Sequence, residues 1–570
     1  MSVKFSKNKI LTISFLLLIA INFAYLHYCA GPVDIIKRPL DLWEPFCYVC
    51  FDSSIIMIFC YILALGNLKI AGTLGVSVSL LWSILNVLYS RYFKVYFNYH
   101  DISEASNLNE GFMWDAIASA LRKEDCLYLF VISTLVALLF FVKIEKSSLR
   151  SRLLYGGLLA LFPIFIIMIY GGGKVLLSAA SELRHLENRK SRRAFLSEYR
   201  EKTIFQNGVF CAQLFDDYII EEDKHSLTTD EIEEIKSFIQ SSHNEKSLLS
   251  RKDKNLIFIL VESYLAVSSD MVINGKELTP CLNRIRHTEG VYYNDSVTSN
   301  IELGVSGDGQ FIYMTGLLPL KGKITITRAI KNKIPALPML ISDSYDYKTL
   351  MTIPTKPTMW SQTEMCKTYG IQQLYSTNDM DFNINDSTIL DYSFNNELEL
   401  VDKRFFHTIL TISMHCPYMT HSPEYFDFPS YYSPEFCEYL RRCAYTDRQI
   451  GRFIQKLKDH NLYDNSVIVI CADHEPTTEM IKVSEEYSGN KRLPLFIINS
   501  EMDLQTCWYG PMNQIDLFPT LLDIFGIDSD WRGLGCSVTD AVNYKNHYND
   551  FTHHISALII DSNYFSKYHK

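Results

Sequence analysis

The first third of the chain contains five apolar stretches long enough to cross a bilayer, near residues 9–28, 46–65, 69–90, 126–143 and 152–171. A hydrocarbon core of roughly 30 Å offers no water to backbone N–H and C=O groups, so about 20 apolar residues must satisfy them internally as a helix. Asp52 interrupts the second stretch and makes it the weakest of the five. The first lacks a small-residue cleavage site and is followed by four more, so it reads as an anchor and not as a signal peptide. An odd number of spans puts the termini on opposite faces. Lys4, Lys7 and Lys9, with Lys143, Lys146, Arg150 and Arg152 between spans four and five, favour a cytoplasmic N-terminus. The expectation is a multi-pass protein of the cell membrane with its C-terminal part on the extracytoplasmic side. The basic run at Arg184, Arg189, Lys190, Arg192 and Arg193 reads either as a solvated helical face or as a contact with anionic lipid.

A chain of 570 residues exceeds one hydrophobic core. We divide it into a membrane domain (1–173), a charged helical linker (174–253), a globular domain (254–545) and a C-terminal tail (546–570). In the linker, Thr228 is placed to cap a helix with Glu231 as its capping-box partner. A net charge of -10 leaves no basic footprint and argues against a nucleic-acid partner. Fourteen cysteines, with one CxxC at Cys47 and Cys50, fix no pairing by their spacing.

In the globular part, short β-rich apolar runs alternate with helical patterns, which predicts an α/β fold with a largely parallel central sheet. Ligands of such sheets bind outside the carboxyl ends of the strands. The run 255–263 ends at Glu262, the run 405–415 at His415, and the run 465–475 at Asp473, His474 and Glu475. Singly, Glu262 could solvate a strand end and His415 could be a rim histidine. Asp473 and His474 follow six apolar residues, where burial without a partner is costly. Together the groups supply oxygen and nitrogen donors without thiolate, which suits Mn²⁺ or Zn²⁺. Ser306 lies in a glycine-containing turn before a helix expected to start near Asp308. A hydroxyl there meets free N–H groups and a favourable dipole, so it is either a nucleophile or simply a capping serine. Asp308 could complement the same dipole.

The order N-L-I-F-I-L-V-E-S, G-V-S-G-D, S-M-H-C-P-Y, A-D-H and I-D-L-F-P-T-L-L-D-I-F-G-I resembles the alkaline phosphatase superfamily, and within it the phosphoglycerol transferases similar to lipoteichoic acid synthase. The resemblance implies a sulfatase-like catalytic domain behind five membrane helices. It implies one divalent metal on Glu262, Ser306, Asp473 and His474, with Ser306 also the nucleophile where relatives usually carry threonine. His415 would contact the transferred group or protonate the leaving oxygen, and Trp360 would line the head-group pocket. Gln362 stands where an arginine is general, so a cationic phosphate clamp is lost. Gln514 stands where a histidine is frequent, a departure read as structural. The implied reaction moves a phosphoglycerol-type head group from a membrane phospholipid, through a covalent Ser306 intermediate, to a glycolipid or envelope polymer. A phosphoethanolamine transferase acting on lipid A or glycan is the alternative. A phosphodiesterase or a non-catalytic membrane sensor ranks lower. A sulfatase is disfavoured because Ser306-Gly307-Asp308-Gly309-Gln310 lacks the proline and arginine of the formylglycine motif.

Overall fold

The computed structural model describes residues 7–30, 43–93, 96–97, 107–108, 110–143, scattered positions in 152–163, 227–241, 251, 253–380, 384–416, 418, 424–476 and 491–569. The chain forms two compact units: Met1–Ile102 with Ile117–Asp223, and Ser103–Ala116 with Lys224–Lys570.

The first unit contains α1 (Lys7–Ala30), α2 (Trp43–Leu63) and α3 (Leu68–Phe93); α4 (Gly111–Ala120) leads from residues of the second unit back into it, and α5 (Lys123–Phe141) follows. Among the described residues, three segments are long and apolar enough to cross a membrane: Lys7–Leu26, Leu68–Arg91 and Lys123–Phe141. The apolar part of α2, Val49–Leu63, is shorter and carries the buried Asp52 within it. The stretch expected at 152–171 lies largely outside the described residues. Without a hydrophobic drive between helices in lipid, close packing needs small residues at the contact. Gly72 of α3 supplies one, since a Cβ there would sit 2.0 Å from the Phe15 ring of α1. Buried polar groups pair inside the unit: Asn22 Nδ2 donates to Ser79 Oγ at 2.7 Å, and Arg91 meets Asp125 at 2.5 Å. Large apolar side chains such as Phe59, Leu81, Phe130 and Phe141 face outward.

The second unit is built on an eight-stranded sheet. Its strands in chain order are β1 (Asn255–Val261), β2 (Tyr292–Thr298), β3 (Lys348–Thr352), β4 (Gln373–Tyr375), β5 (Phe405–Leu410), β6 (Ser466–Ala472), β7 (Leu493–Ile498) and β8 (Met512–Asn513). They lie side by side as β8-β2-β7-β6-β1-β5-β3-β4. Among the described strands, only β7 runs antiparallel to its neighbours, β2 and β6; the other pairs are parallel. Every residue of β1 and β6 is buried, which explains why these strands read as unbroken apolar runs and not as alternations. In register, Val261 lies beside Ala472 and Leu260 beside Leu410. The carboxyl ends of β5, β1 and β6 therefore share one edge, and the polar residues that follow them emerge together.

The helix after Thr228, α6 (Thr229–Ser241), has the expected capping box: Thr228 N–H donates to Glu231 Oε2 at 2.9 Å and Glu231 N–H to Thr228 Oγ1 at 3.3 Å. It packs on the helix Asp550–Ser562. The remaining expected linker helices lie largely outside the described residues.

Candidate metal centre and adjoining recess

Glu262 is the first residue beyond β1, and Asp473 and His474 are the first two beyond β6. One ligand atom from each of the three lies within 4.8 Å of the others, and all three residues are buried. His474 Nε2 is 3.4 Å from both Glu262 Oε1 and Asp473 Oδ2. Its other nitrogen, Nδ1, donates to the Glu475 carbonyl at 2.7 Å, which fixes the tautomer and leaves Nε2 free to act as a ligand. The carboxylates are aimed by local bonds: Ser263 Oγ donates to Glu262 Oε1 at 2.7 Å, while the Ser263 and His474 amides donate to Asp473 Oδ1 at 2.9 and 2.8 Å.

Two carboxylates facing one imidazole perturb one another. Burial raises Asp473, and the neighbouring Glu262 charge raises it further. Burial would also raise Glu262, but His474 and then His415 outweigh it and hold its carboxyl below the ordinary range. For His474 burial lowers the pKa, yet Asp473 and Glu262 push it up to about 10. A divalent cation would replace that proton and neutralise the two carboxylates together, so the donor set fits one.

Ser306 opens α7 (Ser306–Thr315), two residues earlier than expected, so it is a first-turn residue and not the cap. The cap position is Val305, held at φ 43° and ψ -113°. A β-branched residue is strained there, directly before the serine whose hydroxyl meets the cluster. Ser306 Oγ lies 3.0 Å from His474 Nε2 and 3.3 Å from Glu262 Oε2. Asp308 points elsewhere. Its Oδ2 accepts the Glu302 and Gly304 amides at 2.9 and 2.8 Å, which ties the loop before Ser306, and burial raises it to about 6. Glu475 contributes its carbonyl to His474 and pairs with Lys491 at 3.6 Å.

A recess beside the cluster is lined by Glu262, Ser306, Trp360, Gln362, His415 and Asp473, so the fold brings every expected site residue except His474 onto its walls, and His474 touches one of them, Ser306. Trp360 packs over Gly307, where a Cβ would lie 3.4 Å from the indole. Gln362 is buried and donates Nε2 to Gln310 Oε1 at 3.0 Å. His415 follows β5 in a turn held by Asp386, whose Oδ1 accepts the Ile412 and Ser413 amides at 2.9 and 2.8 Å. Burial lowers the His415 pKa below the usual 6.5. Gln514 accepts the Asn300 amide through Oε1 and donates Nε2 to the Asp473 carbonyl at 2.7 Å, a buried structural link as the sequence suggested. Asp386 and Gln310 carry no signal in a single sequence, because their polar atoms are spent on chain brought close only by folding.

Comparison with known proteins agrees with this reading. Residues 254–527 match the Sulfatase family model, so this part of the chain is a sulfatase-like domain of the alkaline phosphatase superfamily. Over most of its length the chain is similar to lipoteichoic acid synthases. It is 24% identical to lipoteichoic acid synthase 2 of Bacillus subtilis (strain 168) over 497 residues, spanning 81% of this chain and 73% of that one. It is 22% identical to the lipoteichoic acid synthase of Staphylococcus aureus (strain NCTC 8325 / PS 47) over 563 residues, 92% of this chain and 83% of that one. Among solved structures, a lipoteichoic acid synthase from Listeria monocytogenes superposes with a TM-score of 0.47 at 19% identity, covering 62% of this chain and 97% of that one.

Proposed function

We propose that this chain is a membrane-anchored, metal-dependent phosphotransferase that moves a phosphoglycerol-type head group from a membrane phospholipid to an external glycolipid or envelope polymer. The observation that carries the reading is the hydroxyl of Ser306, set at the start of a helix within 3.3 Å of both His474 Nε2 and Glu262 Oε2. Glu262, Asp473 and His474, with Ser306 Oγ itself, would hold one Mn²⁺ or Zn²⁺ ion. When bound, that ion supplies the Lewis acidity that lowers the pKa of the Ser306 hydroxyl and screens phosphoryl charge.

In the first step Ser306 Oγ, already deprotonated, attacks phosphorus. The Oγ–P bond forms as the bond to the diacylglycerol oxygen breaks, and protonated His415 gives its proton to that oxygen. In the second step the acceptor hydroxyl attacks, the P–Oγ bond breaks, and the acceptor proton passes to His415. Burial lowers the His415 pKa, so its neutral resting form serves as base in the second step, and the proton it gives in the first is one taken from solvent as the anionic phosphodiester enters beside it. The N–H groups at the start of α7 face the phosphoryl oxygens, and Trp360 walls the head-group side.

The anchor follows from the donor. A phospholipid is held in the bilayer by about 0.8 kcal/mol for each buried methylene, so a tethered domain meets it far more frequently than a free one. We assign the topology of five spans with the catalytic domain outside to the same reading, supported by the lysines and arginines of the N-terminus and of residues 143–152.

One observation favours phosphoethanolamine transfer as a second reading: neither Lys nor Arg is among the described residues lining the recess, and Gln362 replaces the arginine general in phosphoglycerol transferases. The test for both is the full chain in micelles with added Mn²⁺ or Zn²⁺ and labelled phospholipids. Diacylglycerol release from phosphatidylglycerol, with a phosphoglycerol adduct on Ser306 by mass spectrometry, supports the first reading. A phosphoethanolamine adduct supports the second. Metal-loaded protein that releases diacylglycerol from neither donor refutes both.

A further inference from the structure

The second unit contains a segment from far away in the chain, Ser103–Ala116, which lies in sequence between α3 and α5. Two of its residues are buried against the loop that carries Trp360, with Asn107 at 6% and Glu110 at 8% exposure. Asn107 Oδ1 accepts the Trp360 amide at 2.9 Å, and Glu110 Oε1 accepts the Lys356 amide at 2.6 Å. The two acceptors belong to one short turn, in which the Glu110 amide donates to the Asn107 carbonyl at 3.1 Å.

The loop they grip is strained. Trp360 and Ser361 stand at φ 48° and 49°, consecutive left-handed residues neither of which is glycine. Such a conformation persists only where surrounding bonds over-determine it. Within the loop, the Met359 amide reaches the Lys356 carbonyl and the Ser361 amide the Thr358 carbonyl. Asn107 and Glu110 hold it from outside, at its first residue and at the strained tryptophan.

The geometry points to Asn107 and Glu110 as positioning residues that set the wall of the head-group recess by fixing the backbone of Lys356 and Trp360. This rests on the transferase reading for its substrate, but the contact does not. It has a topological consequence: residues 107–110 and the catalytic domain lie on the same side of the bilayer.

The test uses the full chain in micelles with phosphatidylglycerol as donor. Asn107→Ala and Glu110→Ala should each raise KM by about five- to tenfold with kcat within about twofold, since a wall that contacts the head group equally before and during reaction contributes uniform binding. Asn107→Asp and Glu110→Gln keep an acceptor oxygen and should restore the wild-type KM. An unchanged KM in the alanine variants, or a loss that the conservative variants fail to rescue, overturns the assignment. Independently of turnover, a photocrosslinking phenylalanine analogue in place of Glu110 should capture the peptide spanning residues 354–362. Capture elsewhere, or none in folded protein, refutes the contact even if the transferase reading stands.

Discussion

At Gly309 the nucleophile helix packs directly against the backbone of Asp473, one of the three clustered ligands. A Cβ there would lie 2.2 Å from the Asp473 carbonyl oxygen and 2.8 Å from its carbon. Ordinary contacts begin near 3.4 Å, so α7 and the end of β6 would have to part by about 1 Å, and the obstacle is backbone and not a side chain that can swing aside. Two effects of Gly309→Ala compete. In a helix interior alanine is favoured over glycine by about 1 kcal/mol. Overpacking costs about 1–3 kcal/mol, and here it also strains the 2.7 Å bond from Gln514 to the same carbonyl. The clash should win. We expect the midpoint of thermal unfolding to fall by a few degrees and metal affinity to drop by about 10- to 100-fold, as when outer-shell support of a ligand is lost. Metal titration and thermal melts of the purified full chain check both. Gly307→Ala is the internal comparison, because its nearest obstacle is the flexible Ile326 Cδ1 at 2.6 Å, so its metal affinity should stay close to wild type. A Gly309→Ala protein that binds metal as tightly as wild type and melts no lower would refute the argument that this glycine exists to admit Asp473.

Three further expectations follow from the site. Ser306→Ala should lower donor turnover by at least about a thousandfold while retaining metal, and Ser306→Thr should keep most activity because the hydroxyl survives; an active alanine variant would identify another nucleophile. The two carboxylates hold a proton on His474 until the pH approaches about 10, so metal uptake at neutral pH must expel it and apparent affinity must climb as pH rises from 6 to 8. Calorimetry in two buffers of different ionisation enthalpy measures the proton released, and affinity independent of pH would contradict the coupling. Asp386→Ala removes the acceptor shared by the Ile412 and Ser413 amides and by Thr446 Oγ1 at 2.6 Å. It should destabilise the domain by about 3 kcal/mol in denaturant titration and slow turnover by displacing His415.

The parts of this molecule that a sequence reveals are those whose physics is local. β1 and β6 are legible because strands buried on both faces are apolar nearly throughout, and a carboxylate or imidazole directly after such a run stands out; β5 reads through its Phe and Ile residues although it buries His407 between Thr352 and Glu397. The capping box at Thr228 is legible for the same reason, being a bond between residues three apart. The start of α7 is misplaced by two residues because Val305 adopts a conformation that its side chain disfavours, and only the completed fold holds it there. β4 and β8, with three and two residues, are too short for any alternation to register. Asn107 and Glu110 are hidden for a different reason: they sit in a polar stretch between two membrane helices, where nothing nearby in sequence reveals that their partners lie near residue 360.

That the turn holding Asn107 and Glu110 folds with the C-terminal half bears on how such a protein is prepared. A secreted fragment begun at residue 224 would keep the whole cation cradle and Ser306, so it could pass every test for metal loading. It would also have shed the outside clamp on its tryptophan wall, leaving the amides of Lys356 and Trp360 to water. Donor selectivity measured on that truncated reagent would describe a looser aperture than that of the intact chain.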